Sequence, residues 1–159
     1  IGSMASKNPD LVKLEYEKGH AIGNHTYSHN YKYIYSDVNT FLDDVNKDDA
    51  ELKSILGSKY DSKLVRFPGG SFGAKLKPFR DALTKAGYHY VDWNDLTGDS
   101  EEKYAPVDKL LNNLKKYTAA KEHVVILMHD APDKATTPQA LPQVIEYLKS
   151  QGYSFAKLK

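Results

Sequence analysis

"HVVILMHD", residues 123–130, is an unbroken apolar run that ends on a histidine and an aspartate. A strand wet on one face would alternate apolar and polar residues, so a continuous run suits a strand buried on both faces, as in a parallel sheet. Its neighbours support that reading. Downstream, "TPQALPQVIEYLKSQG" (137–152) has helical spacing and leads to a further expected strand, "YSFAKL" (153–158). Upstream, "APVDKLLNNLKKYTAAK" (105–121) repeats the helical spacing, after an aromatic and β-branched strand, "YHYVDW" (88–93).

The alternation continues to the start of the chain. "AKLKPFRDALTKAG" (74–87) predicts a helix closed by Gly87, and "KLVRFP" (63–68) a strand stopped by Pro68. "NTFLDDVNKDDAELKSILG" (39–57) places Phe41, Leu42, Val45, Leu52, Ile55 and Leu56 on one helical stripe ended by Gly57. "HAIGNH" (20–25) predicts a short strand. "NPDLVKLEYEKG" (8–19) predicts a helix from about residue 9 to 18, with Asn8 as cap, Pro9 at the first helical position and Gly19 as stop. Strand and helix taking turns imply a parallel α/β layout, open sheet or barrel. No linker, repeat or low-complexity stretch divides it, so residues 1–159 are expected to form one domain.

Composition narrows the chemistry. The chain has 159 residues, 27% charged and 40% hydrophobic, with a formal charge of +1. Its charges are interspersed, so no nucleic-acid face is expected. No run of eighteen or so apolar residues marks a membrane span, and "IGSMASKNPD" lacks a signal-peptide pattern. There are no cysteines, so a metal would be held by His and carboxylate.

Parallel α/β layouts collect their chemistry where strands end, and four stretches with unusual residues fall at such ends. "GNHTYSHN" (23–30) sets His25 and His29 four apart. On a helical turn their side chains would lie about 5 to 6 Å apart on one face, close enough to share an ion. No Glu lies between them to act as the base of a zincin motif, and two polar residues on an ordinary turn is the competing reading. "RFPGGSFG" (66–73) has two glycines after Pro68, which fit either an oxyanion pocket or a tight turn with Arg66 salt-bridged at the surface. "LMHD" (127–130) ends an apolar strand on His129, either a working residue or a satisfied core histidine. "DWNDLTGD" (92–99), with three aspartates and the only Trp, is the weakest of the four and is expected as a solvated loop unless it carries function.

Taken in order, "GHAIGNHTYSHN", "RFPGGSFG", "YVDWNDLTGDS" and "VVILMHD" resemble the polysaccharide deacetylases of carbohydrate esterase family 4, the NodB-like domain, over nearly the whole chain. His25-Thr26-Tyr27-Ser28-His29 matches the family's H-[ST]-x-x-H, Arg66-Phe67-Pro68 its R-x-P, and Leu127-Met128-His129 its L-x-H. "IGSMASKNPDLVKLEYEKGHAIGNH" resembles the stretch from the family's second strand to its first metal histidine. The resemblance implies a distorted (β/α) barrel. It also implies an N-terminally truncated one, because the T-F-D-D-type segment that supplies the general-base Asp and a further metal-ligand Asp has no counterpart here.

The roles that follow from the resemblance are these. His25 and His29 would hold a divalent metal, Zn²⁺ first, with Co²⁺, Ni²⁺ or Mn²⁺ as alternatives. Gly69, after Pro68, would offer its N–H to an oxyanion. His129 would protonate a leaving amine, with Asp99 keeping His129 charged. Arg66 would pair with the missing base, Leu127 would meet the acetyl methyl, and Trp93 would line the acetyl pocket. Ser100 stands where the family often has a Trp.

The implied reaction is hydrolysis of N-acetyl groups from an N-acetylglucosamine polymer, peptidoglycan or chitin-like, outside the cytoplasm of a bacterium. A carbohydrate-binding remnant of the fold and a hydrolase of another small amide are the alternatives. Self-association is expected as a way of covering the place of the missing strand. Two histidine ligands are one short of a catalytic zinc site, so the chain is expected to bind Zn²⁺ loosely; tight one-to-one binding in a calorimetric titration, abolished by His25→Ala, would contradict this.

Overall fold

Glycine and proline punctuate the chain where its sequence places them. The computed structural model describes residues 1–158, which fall into two compact units, Ile1–Asp92 with Lys157 and Leu158, and Trp93–Ala156.

The first unit contains α1 (Gly2–Ala5), α2 (Pro9–Glu17), α3 (Tyr31–Ile34), α4 (Val38–Leu56), β1 (Leu64–Val65), a 3₁₀ turn (Ala74–Leu76), α5 (Lys77–Lys85) and β2 (His89–Tyr90). Pro9 opens α2, where its missing N–H costs nothing. Asn8 precedes it as expected, but its side chain does not cap the helix; its amide donates instead to the Met4 carbonyl at 2.9 Å. Gly19, at φ 88°, ends α2 in a Schellman motif, with His20 N–H donating to Glu15 O and Gly19 N–H to Tyr16 O. Gly87 ends α5 in the same way. α4 is capped by the Asp37 side chain, which accepts from the N–H groups of Asn39 and Thr40, and it stops at Gly57.

β1 and β2 pair in parallel, Leu64 opposite His89 and Val65 opposite Tyr90. Asn24 bridges Val65 in parallel on the other side. The strand expected over 20–25 is reduced to this single bridge. Against these strands pack Ile34, Phe41, Val45, Val65, Phe67, Phe79, Leu83 and Tyr88. Phe41 stacks on Phe67, with ring centroids 4.9 Å apart, and meets Phe79 edge-on at 5.6 Å.

The second unit contains β3 (Asp95–Leu96), α6 (Val107–Thr118), β4 (Ile126–Leu127) and α7 (Thr136–Ser150). β3 and β4 are also parallel, Asp95 opposite Ile126 and Leu96 opposite Leu127. The stretch expected as a solvated loop therefore contains a strand, and it buries Asp95, Thr97 and Asp99. Leu114, Val144 and Leu148 form a core with Ile126 and Met128 packed against it. α7 accommodates Pro142 inside it and ends at Gly152 in a third Schellman motif. Residues 153–158 are not a strand: they find no ladder partner, and Phe155 and Leu158 are exposed.

Phe41 has no exposed surface, so Phe41→Ala should lose about 3–5 kcal/mol of unfolding free energy in a urea titration. Leu11→Ala, at a site 59% exposed, should stay within about 0.5 kcal/mol of the parent.

Candidate functional site

The stretch from His25 to His29 is a loop, not the helical turn that the four-residue spacing allowed. Without a helical ladder, each backbone N–H needs its own acceptor. His25 N–H donates to Asp48 Oδ2 at 3.0 Å, Thr26 N–H to Asn24 Oδ1 at 3.0 Å and Tyr27 N–H to the Asp44 carbonyl at 3.2 Å. Ser28 N–H donates to Asp44 Oδ1 at 2.9 Å, His29 N–H to Thr26 Oγ1 at 3.2 Å and Asn30 N–H to Ser28 Oγ at 3.2 Å. Thr26 and His29 adopt left-handed dihedrals, φ 64° and 52°, at a cost of about 1–2 kcal/mol each for non-glycine residues. The loop geometry, rather than helical periodicity, brings the two imidazole centroids within 4.9 Å.

His25 Nδ1 lies 2.7 Å from the Arg66 carbonyl. A carbonyl only accepts, so Nδ1 carries the hydrogen and Nε2 is left with its lone pair, the arrangement found behind metal-bound histidines. Burial lowers the His25 pKa to about 4, against the opposing hydrogen bond to Arg66, with His29 adding to the decrease. The ring is therefore neutral at pH 7, as a ligand must be. Two imidazoles at this separation, one of them held with Nε2 free, fit two positions around a zinc-like ion. Among the described residues no group of three or more His, Asp or Glu is placed to hold a metal.

The glycine loop lies in the same unit. Arg66 is not the surface ion-pair residue of the tight-turn reading: its Nε donates to the Val91 carbonyl at 3.2 Å, and burial lowers its pKa against the charge of Asp92. Asp92 braces the loop by accepting from Ser71 N–H at 2.9 Å and Ser71 Oγ at 2.5 Å. Arg80 donates to the carbonyls of Ser71 and Gly73. The Pro68 carbonyl accepts from Tyr35 Oη at 2.8 Å. Gly69 has φ 77°, and a Cβ there would come within 2.9 Å of Tyr31 Cε1. Only glycine fits, because the Tyr31 ring fills the place of its side chain while standing edge-on to His29 at 5.3 Å. Among the described residues the Gly69 N–H donates no hydrogen bond, and Gly69 is exposed.

In the second unit, Asp99 follows β3 and His129 follows β4. His129 Nδ1 lies 2.8 Å from Asp99 Oδ1, and the His129 N–H donates to Asp99 Oδ2 at 2.6 Å. Thr137 Oγ1 donates to the same oxygen at 3.0 Å. Burial alone would push the Asp99 carboxyl up, but the hydrogen bonds from His129 and Thr137 outweigh it and hold it below its usual range. Asp99 is 2% exposed and the His129 side chain 38%, so the carboxylate is sunk while the imidazole reaches solvent. Leu127 lies on β4, and Trp93 is half-buried at the start of this unit.

Sequence reasoning missed Asp44, Asp48 and Asp92. One signal for Asp48 was present: it stands in the row of Phe41, Val45 and Leu52 on α4, a carboxylate inside an apolar stripe.

Residues 1–91 match a family model described as polysaccharide deacetylase. A peptidoglycan-N-acetylglucosamine deacetylase of Bacillus cereus is 30% identical over 158 residues, covering 98% of this chain and 56% of the relative. The chain spans about half the length of the first curated relatives it matches. A family 4 carbohydrate esterase of Streptococcus mutans superposes with a TM-score of 0.89 at 30% identity, over 100% of this chain and 72% of that one. A pseudoenzyme of the same esterase family from Bacillus anthracis shares the fold, with a TM-score of 0.77 at 22% identity over 96% of this chain and 50% of that one.

Acid titration of the metal-free chain should show two opposing slopes. His25 binds its proton at about 4 when folded and near the ordinary 6.5 or so when unfolded, so its contribution to stability is complete above that range and is lost toward pH 4. Asp48, pushed up by burial from 3.8 to about 6, has the reverse sign: the folded state takes up its proton first, and acidification from pH 6 stabilises. Asp48→Asn removes the second slope, so its melting temperature should fall more steeply than the parent's between about pH 6.5 and 4.5. Parallel curves would show that the two groups do not oppose each other.

Proposed function

Because the chain belongs to the polysaccharide deacetylase family, we propose that it hydrolyses N-acetyl groups of an N-acetylglucosamine-containing glycan, peptidoglycan or a chitin-like polymer, releasing acetate. Water adds to the acetyl carbon, the amide C–N bond breaks, and the products are acetate and a free amino sugar. The observation that carries the reading is the His25 ring, neutral and locked by the Arg66 carbonyl with Nε2 left to bind, beside His29.

In this reading His25 and His29 hold a divalent cation, Zn²⁺ first, with Co²⁺, Ni²⁺ or Mn²⁺ as substitutes. When bound, such an ion acidifies water and polarises a carbonyl. The Gly69 N–H donates to the oxygen on which charge develops, and its lack of an acceptor leaves it ready to do so. His129 carries the proton to the leaving amine. Its Nδ1 is engaged by Asp99, which leaves Nε2 to give the proton, while Asp99 keeps the ring oriented. Arg66 holds His25 through its carbonyl, Pro68 sets the Gly69 turn, Leu127 meets the acetyl methyl, and Trp93 contributes to the acetyl pocket. The attacking water would need a carboxylate base to take its proton, a role that the resemblance gives to an aspartate of a T-F-D-D-type segment absent from this sequence. A polymeric cell-wall glycan places the activity outside the bacterial cytoplasm, and among the described residues no helix is long and apolar enough to cross a membrane.

A second reading, a glycan-binding member without turnover, is favoured by the absence of a three-ligand group among the described residues. Acetate release from N-acetylated chitooligosaccharides and peptidoglycan separates the two, measured with zinc on this chain and on the chain extended by a T-F-D-D-type strand. The extended protein should release acetate and leave small cyclic amides intact, and His129→Ala should lower the rate by about a hundred-fold or more. Glycan binding without acetate from either protein would establish the second reading.

A further inference from the structure

Asp48 and Asp44 take the N–H groups of His25 and Ser28, and so hold the backbone at both ends of the histidine loop. They stand four residues apart on α4, 1% and 4% exposed, on a helix that also buries Phe41, Val45 and Leu52. Two carboxylates sunk together repel each other and resist losing water, an arrangement poor for stability alone. Asp48 Oδ1 has no hydrogen-bond partner among the described residues, so the carboxylate is placed for the His25 N–H and not for a network of its own. Between the anchored ends, Thr26 and His29 are kept at the left-handed dihedrals that place the two rings 4.9 Å apart. Strained residues of this kind persist only where surrounding contacts over-determine them.

We propose that Asp44 and Asp48 are positioning residues for the His25–His29 pair, fixing the loop so that both imidazoles are presented to one cation. This rests on the reading of the pair as cation ligands. Asp48 acts at the first histidine through its own N–H. Asp44 acts one residue before the second, through Ser28 N–H, with its carbonyl also taking Tyr27 N–H. Asn24 completes the support from the strand side, donating to the Val45 carbonyl at 2.8 Å and accepting from Thr26 N–H.

Zinc alone, in competition with a chromophoric chelator, tests this on the full chain at a temperature where the metal-free protein is folded. Asp44→Ala and Asp48→Ala should weaken zinc binding by about ten-fold or more, the range seen when groups behind metal ligands are removed. Asp44→Asn and Asp48→Asn, which keep an oxygen acceptor, should remain within about three-fold of the parent, as should Asp43→Ala at an exposed position on the same helix. Folded alanine variants that bind zinc like the parent would overturn the proposal. If an alanine variant does not fold, the asparagine variant decides: parental affinity with a parental His25 ring tautomer by ¹⁵N spectroscopy supports it, and loss of affinity in a folded Asn variant overturns it. If the parent itself binds no zinc, the reading of the pair as ligands fails. The metal-free ring spectrum then decides the clamp, a changed His25 tautomer in the alanine variants supporting it and an unchanged one overturning it.

Discussion

One parallel contact organises the first unit: Asn24 beside Val65, with Asn24 N–H donating to the Leu64 carbonyl and Arg66 N–H to the Asn24 carbonyl, both at 2.9 Å. Register in a parallel pair decides which backbone groups and which faces meet. With Asn24 on Val65, the next residue of one segment faces the next of the other, and His25 Nδ1 finds the Arg66 carbonyl. A slip of one residue would turn His25 to the opposite face and leave its ring without that acceptor. The rest of the site follows, because the same register delivers Pro68 and Gly69 beyond the end of β1 and Asp92 beyond β2, where it braces Ser71.

The second unit repeats the principle with a different outcome. β3 and β4 run parallel, and the chain beyond them carries Asp99 and His129. A carboxylate 2% exposed stays charged only if hydrogen bonds replace its water, and Asp99 has three, from the His129 ring, the His129 backbone and Thr137. The imidazole it orients remains partly in solvent, 38% exposed. Asp95, equally buried, contrasts with it: it accepts from Thr118 Oγ1 at 2.5 Å, and burial raises its pKa.

Much of this was legible residue by residue. The four motif stretches and the helices with their glycine stops could be proposed from residue types and order, whereas the pairing of Asp99 with His129 was implied by the family resemblance alone. The spacing of His25 and His29 fits a helical turn and a loop alike, and only the acceptors on α4, on Asn24 and within the loop itself satisfy the backbone of the loop that forms. The strand at Asp95–Leu96 escaped notice because aspartate and asparagine favour turns, and its pairing with Ile126–Leu127 lies thirty or so residues away, beyond any local pattern. "YSFAKL" shows the converse, since strand propensity without a partner ladder makes no strand.

By itself, then, the amino-acid sequence determined the alternation of elements, the polar residues waiting at the ends of apolar segments and the family those residues belong to, because periodicity, caps and motif order are local properties. Only the tertiary structure decided that Asp44 and Asp48 hold the histidine loop, that Tyr31 stands where a side chain on Gly69 would be, and that His25 presents Nε2 rather than Nδ1. Each of those depends on which donor meets which acceptor across many intervening residues, and hydrogen-bond pairing at such separations is set by packing and register rather than by neighbours in the chain.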